Sequence, residues 1–393
     1  MLVANLPVPS DRRVWHEAQT LVAAGWAVSV ICPKGRNRDR EDRVRLDGVD
    51  IYRYELMERP PSVVGYVREF ATMLLRHLRL SWTARRRRGF TVIHACNPPD
   101  LFFVLGWIYR PLGVRFVYDQ HDANPELYLV KFGRAGLHGA LYRAVLLMER
   151  LSYATAALVI APNDSYRELA LTRGRRRPED VVVVRSGPRA DELAAPEGWE
   201  AESAVGPHRL GYLGVMGVQD GVDVLLDAVA VLLRRRGRDY VRLDLVGDGE
   251  LRIALEERAS ELGISDAVDF RGFLPAAEFV PLLRTVDLCV APDPPNPFND
   301  ISTMNKVIEY MAMGRPVVAF DLRETRDLMG DAGVVAKGGD AAALAETLEA
   351  LLDDDHRRAA MAAAATRIFA ERLGWERSEP PLLEVYERIA ELP

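Results

Sequence analysis

Lys306 and Glu309 stand one helical turn apart in the segment Asp293-Pro-Pro-Asn-Pro-Phe-Asn-Asp-Ile-Ser-Thr-Met-Asn-Lys-Val-Ile-Glu309. The segment reads as the end of a strand, a polar proline-rich loop of twelve residues and the start of a helix. Loops of that length inside a compact domain usually carry function. Ser302 or Thr303 is the expected N-cap, and Gly314 with Pro316 is the expected stop. Free amides at such a helix start attract an anion, and Lys306 adds a full charge. Glu309, on the same face, suits the two hydroxyls of a ribose. The set suits a sugar nucleotide, with amides and Lys306 on pyrophosphate and Glu309 on ribose. A solvated ion pair on an ordinary amphipathic helix is the alternative.

A second polar group closes a strand in the first half, Val117-Tyr-Asp-Gln-His-Asp-Ala-Asn-Pro-Glu126. His121 is a candidate for proton or hydrogen-bond chemistry, or a structural histidine. Asp119, Asp122, Asn124 and Glu126 around it are costly to bury unless they meet ligand or water. Asn97-Pro-Pro-Asp100 and Asn5-Leu-Pro-Val-Pro-Ser10 end two further strands and should line the same side. Asn97, Asp100, Asn124 and Glu126 are therefore candidates to line that side.

These groups need a scaffold of strand ends. Apolar runs at 26–32, 90–95, 114–119, 157–161 and 181–184 alternate with helical stretches, and the second half repeats the pattern at 209–213, 241–246, 267–270, 287–291 and 316–320. Such alternation predicts an α/β chain of two Rossmann-like, doubly wound domains with parallel sheets. The boundaries are 1–186 for the first domain, 187–208 for a linker and 209–375 for the second. A final helix over 376–393 is expected to cross back to the first. The first strand is unusually short, with only Leu2–Ala4 ahead of the turn at Asn5, which leaves open whether the sequence starts upstream.

The chain of 393 residues has a net charge of −6, unevenly spread. Residues 1–190 hold 30 Lys and Arg against 19 Asp and Glu; the remainder hold 21 against 38. A basic half of +11 beside an acidic half of −17 suggests an anionic partner for the first half. No recognition helix or zinc-ligand spacing points to nucleic acid. Over 62–88, aromatic and aliphatic residues alternate with Arg68, Arg76, Arg79 and the run Arg85–Arg88. A basic amphipathic helix suits an anionic membrane surface, with a core-packing helix as the alternative. Cys32, Cys96 and Cys289 are scattered and read as core residues in a reducing compartment, so the expected location is cytoplasmic, at the inner face of the membrane. No spacing supports a metal site.

The run EYMAMGRPVVA from Glu309 to Ala319 resembles the signature of the family 4 glycosyltransferases of the GT-B fold. SDRRVWHEAQTLVAAGWAVSVIC (Ser10 to Cys32), YLGVMGVQDGVDVLLDA (Tyr212 to Ala228), LVGDGEL (Leu245 to Leu251) and FRGFLPAAE (Phe270 to Glu278) resemble further segments in the family's order. The resemblance implies two domains facing across a cleft, with Asn97, Asp100, Asn124 and Glu126 on the acceptor side. It implies transfer of a sugar, with retained configuration, from a UDP- or GDP-sugar to a lipid-linked or polysaccharide acceptor, with no other cofactor and no metal. Glu309 matches the second of two donor-binding glutamates; the first falls at Ile301, which leaves Asn299 or Asp300 for that contact. The family's diphosphate-binding Arg and Lys fall at Val215, after Gly214, and at Asp220. Lys306, with Ser302, Thr303, Met304 and Asn305, matches a Pro-Thr-Lys type of donor loop, so Lys306 is expected to replace the missing pair, with Asp220 facing solvent or capping its helix. Arg12 or Arg13 is expected to close over the phosphate. Gly247, Asp248 and Gly249 would line the base side, and the backbone near Phe273 would read the base edge. His121, with Asp122, matches the position beside the reacting centre. An epimerase of the same fold and a non-catalytic nucleotide-sugar-binding subunit are the rival readings.

Overall fold

The computed structural model describes residues 1–35, 38–56, 63–194 and 206–392. Residues 195–205 of the expected linker, and Ser62 at the start of the expected basic helix, lie outside them. The chain divides into two compact units, Met1–Arg185 with Ser378–Pro393, and Ser186–Arg377.

In the first unit β1 (Ser29–Pro33), β2 (Arg43–Leu46) and β3 (Val49–Tyr54) pair in the order β1-β3-β2. β4 (Val92–Cys96), β5 (Arg115–Asp119), β6 (Leu158–Ala161) and β7 (Val181–Val183) form a parallel set in chain order. Leu2 makes parallel bridges to Ile31 and Ala95, and so joins the two sets. The expectation of parallel strands throughout needs one correction, because β2 runs antiparallel to β3. The sequence carried the signal in Asp47-Gly48, which turns the chain at φ +46° and +84°. That dipeptide is the strongest short-range hairpin signal.

The helices of this unit are α1 (Arg12–Ala23), α2 (Val63–Arg88), α3 (Phe103–Tyr109), α4 (Asn124–Phe132), α5 (Leu137–Thr155) and α6 (Asp164–Thr172), with a C-terminal helix at Glu379–Glu391. α1 starts on the Asp11 side chain, which accepts from the Val14 amide, and buries Val14, Ala18 and Leu21 along one stripe. Among its described side chains, α2 buries Met73, His77, Ser81 and Ala84 at helical spacing. Part of the expected basic amphipathic face is therefore core, while Leu75 and Trp82 stay exposed beside Arg79 and Arg86.

The second unit holds β8 (His208–Leu213), β9 (Val241–Val246), β10 (Val268–Gly272), β11 (Leu288–Ala291), β12 (Val317–Phe320) and β13 (Gly333–Ala336), an edge strand that the apolar runs did not reveal. All pairs are parallel, in the order β10-β9-β8-β11-β12-β13. Strand order therefore reverses direction between β8 and β11, the place where doubly wound sheets open a ligand crevice. α7 (Val222–Arg236), α8 (Arg252–Glu261), α9 (Ala276–Leu283), α10 (Asn305–Ala312), α11 (Arg323–Met329), α12 (Ala341–Leu352) and α13 (Asp355–Ile368) cover the two faces in two apolar cores. No helix among the described residues is long and apolar enough to cross a membrane.

His77 of α2 is buried with Nδ1 3.0 Å from the Met73 carbonyl and Nε2 3.1 Å from that of Val3. Burial pushes its pKa down to about 4 despite both carbonyls. The unfolded chain therefore takes up the proton first, and stability falls as pH drops from about 6.5 toward 4, by up to about 3 kcal/mol. His94 works in the same direction. Urea unfolding at pH 7 and pH 5 is expected to show this loss, reduced in His77→Gln.

Candidate active site

In the second unit the chemistry gathers where the sheet order reverses. Lys306, second residue of α10, buries its ammonium 2.8 Å from Asp293 Oδ1 and 3.2 Å from Asp220 Oδ1. The ammonium also lies 5.0 Å from the centre of the Tyr212 ring. Asp293 follows β11, and Tyr212 lies within β8, so the cluster sits directly beside the switch point. Burial works against the charge of Lys306, but Asp293, Tyr212 and Asp220 outweigh it and hold the amine protonated. Burial raises the Asp293 carboxyl above the usual range, and Lys306 only partly opposes this.

Of the two alternatives expected for Asp220, solvent or a cap, the structure shows the cap: its Oδ2 accepts from the Gly217 amide at 3.2 Å at the start of the 3-10 turn Val218–Asp220, while its Oδ1 turns inward to Lys306. Lys306 is not a lone cation, because it already meets two carboxylates. The physical reason is burial, since an ammonium removed from water needs counter-charge wherever the fold supplies it.

The loop before α10 also caps differently from the expectation. Met304 precedes α10 with no side-chain cap, and Ser302 Oγ donates to the Phe298 carbonyl at 2.7 Å. Neither Ser302 nor Thr303 is the N-cap, because the helix starts only at Asn305, after Met304, and Ser302 closes the 3-10 turn at Asn299–Ile301 instead. Asn299 is buried and donates to the carbonyls of Gln219 (3.0 Å) and Pro294 (2.9 Å). Asp300 accepts from the Arg323 amide at 2.9 Å. Both substitutes for the contact missing at Ile301 thus hold the loop in shape. Asn305 is exposed and Glu309 half-buried on α10.

Gly214 and Gly247 end β8 and β9 at the same rim. A Cβ on Gly247 would sit 1.8 Å from the Gly214 carbonyl oxygen, and one on Gly249 would sit 2.4 Å from that of Met216. These glycines let two strand-end loops pack backbone to backbone, a reason that sequence alone did not show. Asp248 turns its carboxylate to the Gly249 amide. Val215, Val218 and Phe273 are well exposed around this rim.

In the first unit Asp119 closes β5 with no exposure to solvent. Its Oδ1 accepts from Arg13 at 2.8 Å, and its Oδ2 lies 2.5 Å from His121 Nε2 and 3.2 Å from His94 Nε2. Burial pushes the carboxyl up, but Arg13 and His121 outweigh it and hold the group well below the usual range. An ionised Asp119 only accepts, so His94 presents Nε2–H to it and His94 Nδ1 accepts from the Tyr386 hydroxyl at 2.9 Å. His121 Nε2 lies between Asp119 Oδ2 and the Arg13 Nε–H, which points at it from 3.2 Å. Glu17, fully buried on α1, lies 3.2 Å from Arg13 and 3.4 Å from His94, and burial raises its carboxyl well above the usual value.

Arg13 is therefore committed inside the first unit, where it also donates to the Val184 carbonyl at 2.8 Å, rather than reaching for phosphate. Arg12 is exposed at the start of α1. Glu17, Cys96, Asp119 and His121 place one potential metal ligand each within 4.8 Å of the others. Arg13 already supplies positive charge to both carboxylates, so a divalent ion would have to displace it.

The residues expected on the acceptor side form a scaffold around this centre. Asn97 accepts from the amides of His121 (2.5 Å) and Asp122 (3.0 Å), and donates to Asp100 (2.9 Å). Asp100 also accepts from Asn124 (2.7 Å) and Tyr118 (2.5 Å). Burial raises the Asp122 carboxyl. Glu126 is held by Arg173 at 2.6 Å, which also meets Glu149. The network fixes the loop that carries His121. Glu17, His94, Tyr386, Tyr212 and Asp293 were missed as site residues. Glu17 was legible as an acid on the apolar stripe of α1, while the others needed the sheet register.

Residues 10–187 match the glycosyl transferase 4-like domain, and residues 207–354 match glycosyl transferases group 1. The chain belongs to the family 4-type glycosyltransferases of the GT-B fold. It is 32% identical over 191 residues to the D-inositol 3-phosphate glycosyltransferase of Corynebacterium urealyticum, covering 47% of this chain and 44% of that one. It is 31% identical to the phosphatidyl-myo-inositol mannosyltransferase of Mycobacterium leprae, over 54% of each chain. The matches thus span about half the length of these curated relatives. Among solved structures, sucrose-phosphate synthase from Thermosynechococcus elongatus superposes with a TM-score of 0.77 at 18% identity, covering 99% of both chains. HepE of Anabaena, solved with UDP, gives 0.71 at 18% identity, covering 100% of this chain and 99% of that one.

Within this GT-B chain, Lys306→Ala would leave Asp220 and Asp293 facing each other in a buried site. A loss of about 3–5 kcal/mol is expected in urea unfolding. Lys306→Ala combined with Asp293→Asn should recover part of it, which a role in ligand binding alone would not produce.

Proposed function

We propose that the protein transfers a sugar from a nucleoside diphosphate donor, UDP- or GDP-linked, to a hydroxyl of a lipid-linked or glycan acceptor. On this reading the anomeric configuration is retained and no metal is required. The observation that carries the proposal is the switch point between β8 and β11, where glycine-packed loops and the start of α10 converge. The UDP bound to HepE and the inositol-based acceptors in the relatives' names support the donor and acceptor classes.

The donor diphosphate meets amides at the start of α10 and an ammonium already shared with Asp220 and Asp293. Lys306 contributes by exchanging part of that pairing for phosphate, so the amides carry more of the anion than a free lysine would require. Glu309 takes the ribose. In the first unit His121, oriented by Asp119 and Arg13, offers its imidazole to the reacting sugar. Asp122 lies next to it in the loop that Asn97 holds. A second reading, a nucleotide-sugar-binding subunit without turnover, is favoured by the carboxylate at Asp220 where a cation would serve the leaving group.

Thermal-shift screening against UDP-, GDP-, ADP- and dTDP-sugars identifies the donor, since ligand at 100 times its dissociation constant stabilises by about 2.7 kcal/mol. Donor binding followed by transfer supports the enzyme; binding without turnover across an acceptor panel supports the second reading. Glu309→Ala is expected to cost about 1.5–3 kcal/mol of nucleotide affinity with folding intact by circular dichroism. Unchanged affinity would remove Glu309 from the ribose.

Asp220→Asn removes one negative charge beside the diphosphate and is expected to tighten nucleoside diphosphate binding by about 1 kcal/mol in calorimetry. Weaker binding would show that Asp220 holds Lys306 in place for the phosphate.

A further inference from the structure

α4, α5 and the turn between them differ from the other helices of the first unit. No described residue from Glu126 to Met148 is buried, although the stretch includes Leu127, Leu129, Val130, Phe132, Leu141, Val145, Leu146, Leu147 and Met148. α1 and α6, by contrast, each bury a stripe against the sheet. Phe132 is 46% exposed and Leu147 57%.

The charge of this hairpin is one-sided. From Leu127 to Met148 there is no Asp or Glu, while Lys131, Arg134 and Arg143 are all exposed. Arg143, Leu147 and Arg150 lie along one exposed face of α5, placing a leucine between two arginines. The turn is built and not merely exposed: Phe132 stacks on His138 at 5.7 Å, Tyr128 hydrogen-bonds His138 at 2.9 Å, and Arg134 lies 4.6 Å over the Tyr142 ring. Apolar side chains with aromatic rings that carry a polar tip, rimmed only by cations, match the boundary between headgroups and acyl chains. A protein partner of matching charge would have to be acidic and apolar at once; an anionic bilayer supplies both properties over a continuous surface.

We propose that the α4–α5 hairpin docks the protein on an anionic lipid surface, inserting Phe132 and Leu147 between headgroups held by Lys131, Arg134 and Arg143. This moves the main membrane contact from the helix over 62–88, whose buried stripe is already used by the core, to the helix that begins at Asn124. α4 carries Asn124 in the same network that fixes the His121 loop, so the docking element and the candidate centre are parts of one rigid segment. The inference deepens the reading of a lipid-linked acceptor and rests on it for its purpose, but vesicle binding needs no donor, so either can fail alone.

The test is flotation of the full-length protein with phosphatidylcholine vesicles, with and without phosphatidylglycerol. The wild type is expected to float with the anionic vesicles and to be released by salt. Phe132→Ser with Leu147→Ser, and separately Lys131→Gln with Arg134→Gln and Arg143→Gln, should each lower partition by about tenfold or more. Their circular dichroism and donor-induced shifts should stay unchanged. Trp82→Ser with Arg86→Gln on α2 should have little effect. The proposal is overturned by failure of the wild type to float, by equal binding to neutral vesicles, or by loss confined to the α2 variant. It is also overturned if the hairpin variants abolish a concentration-dependent dimer in sedimentation while vesicle binding persists.

Discussion

Asp119 has no contact with solvent, and a carboxylate taken out of water has to be met by positive charge and hydrogen-bond donors. Much of the first unit's centre follows from that requirement. Arg13 is drawn inward from α1, His121 and His94 turn their Nε2 atoms to the same oxygen, and Tyr386 completes His94 from the C-terminal helix. The result holds the His121 ring in place against Asp119 and Arg13.

The second unit solves the opposite problem with the same physics. Lys306 is the buried cation, and Asp293 and Asp220 are its counter-charges. At the two positions where the family resemblance implies cations, this chain has Val215 and Asp220, while the buried ammonium near the switch point comes from α10 with a carboxylate beside it. On the proposed reading, phosphate recognition would rest more on fixed backbone amides, whose dipoles need no counter-charge.

Both centres stand on strand ends, and both use α-helix starts to place a charged residue: Arg13 in the first turn of α1, Lys306 in the first turn of α10. Helices follow strands at short range in this architecture, so a side chain in the first turn lies close to the neighbouring strand's carboxyl end. The glycines after β8 and β9 serve the same geometry by removing the Cβ atoms that would hold the two loops apart.

The two-domain α/β plan, ten of the strands and the list of polar strand-end residues were legible because each depends on local order. Apolar runs, helix stops such as Gly25 and Gly314, and polar residues after strands are properties of neighbouring positions. The Asp47-Gly48 hairpin was equally local and was overlooked. What the sequence could not decide was the partner of each charge. Asp220 and Lys306 are 86 residues apart, and His94 and Tyr386 are 292 apart. Whether Lys306 is free or paired, and whether Arg13 reaches outward or inward, depends on which strands and helices are neighbours in space and on how far each site is removed from water. Ion pairing in a folded chain is decided by burial and proximity together, and only the tertiary structure supplies both.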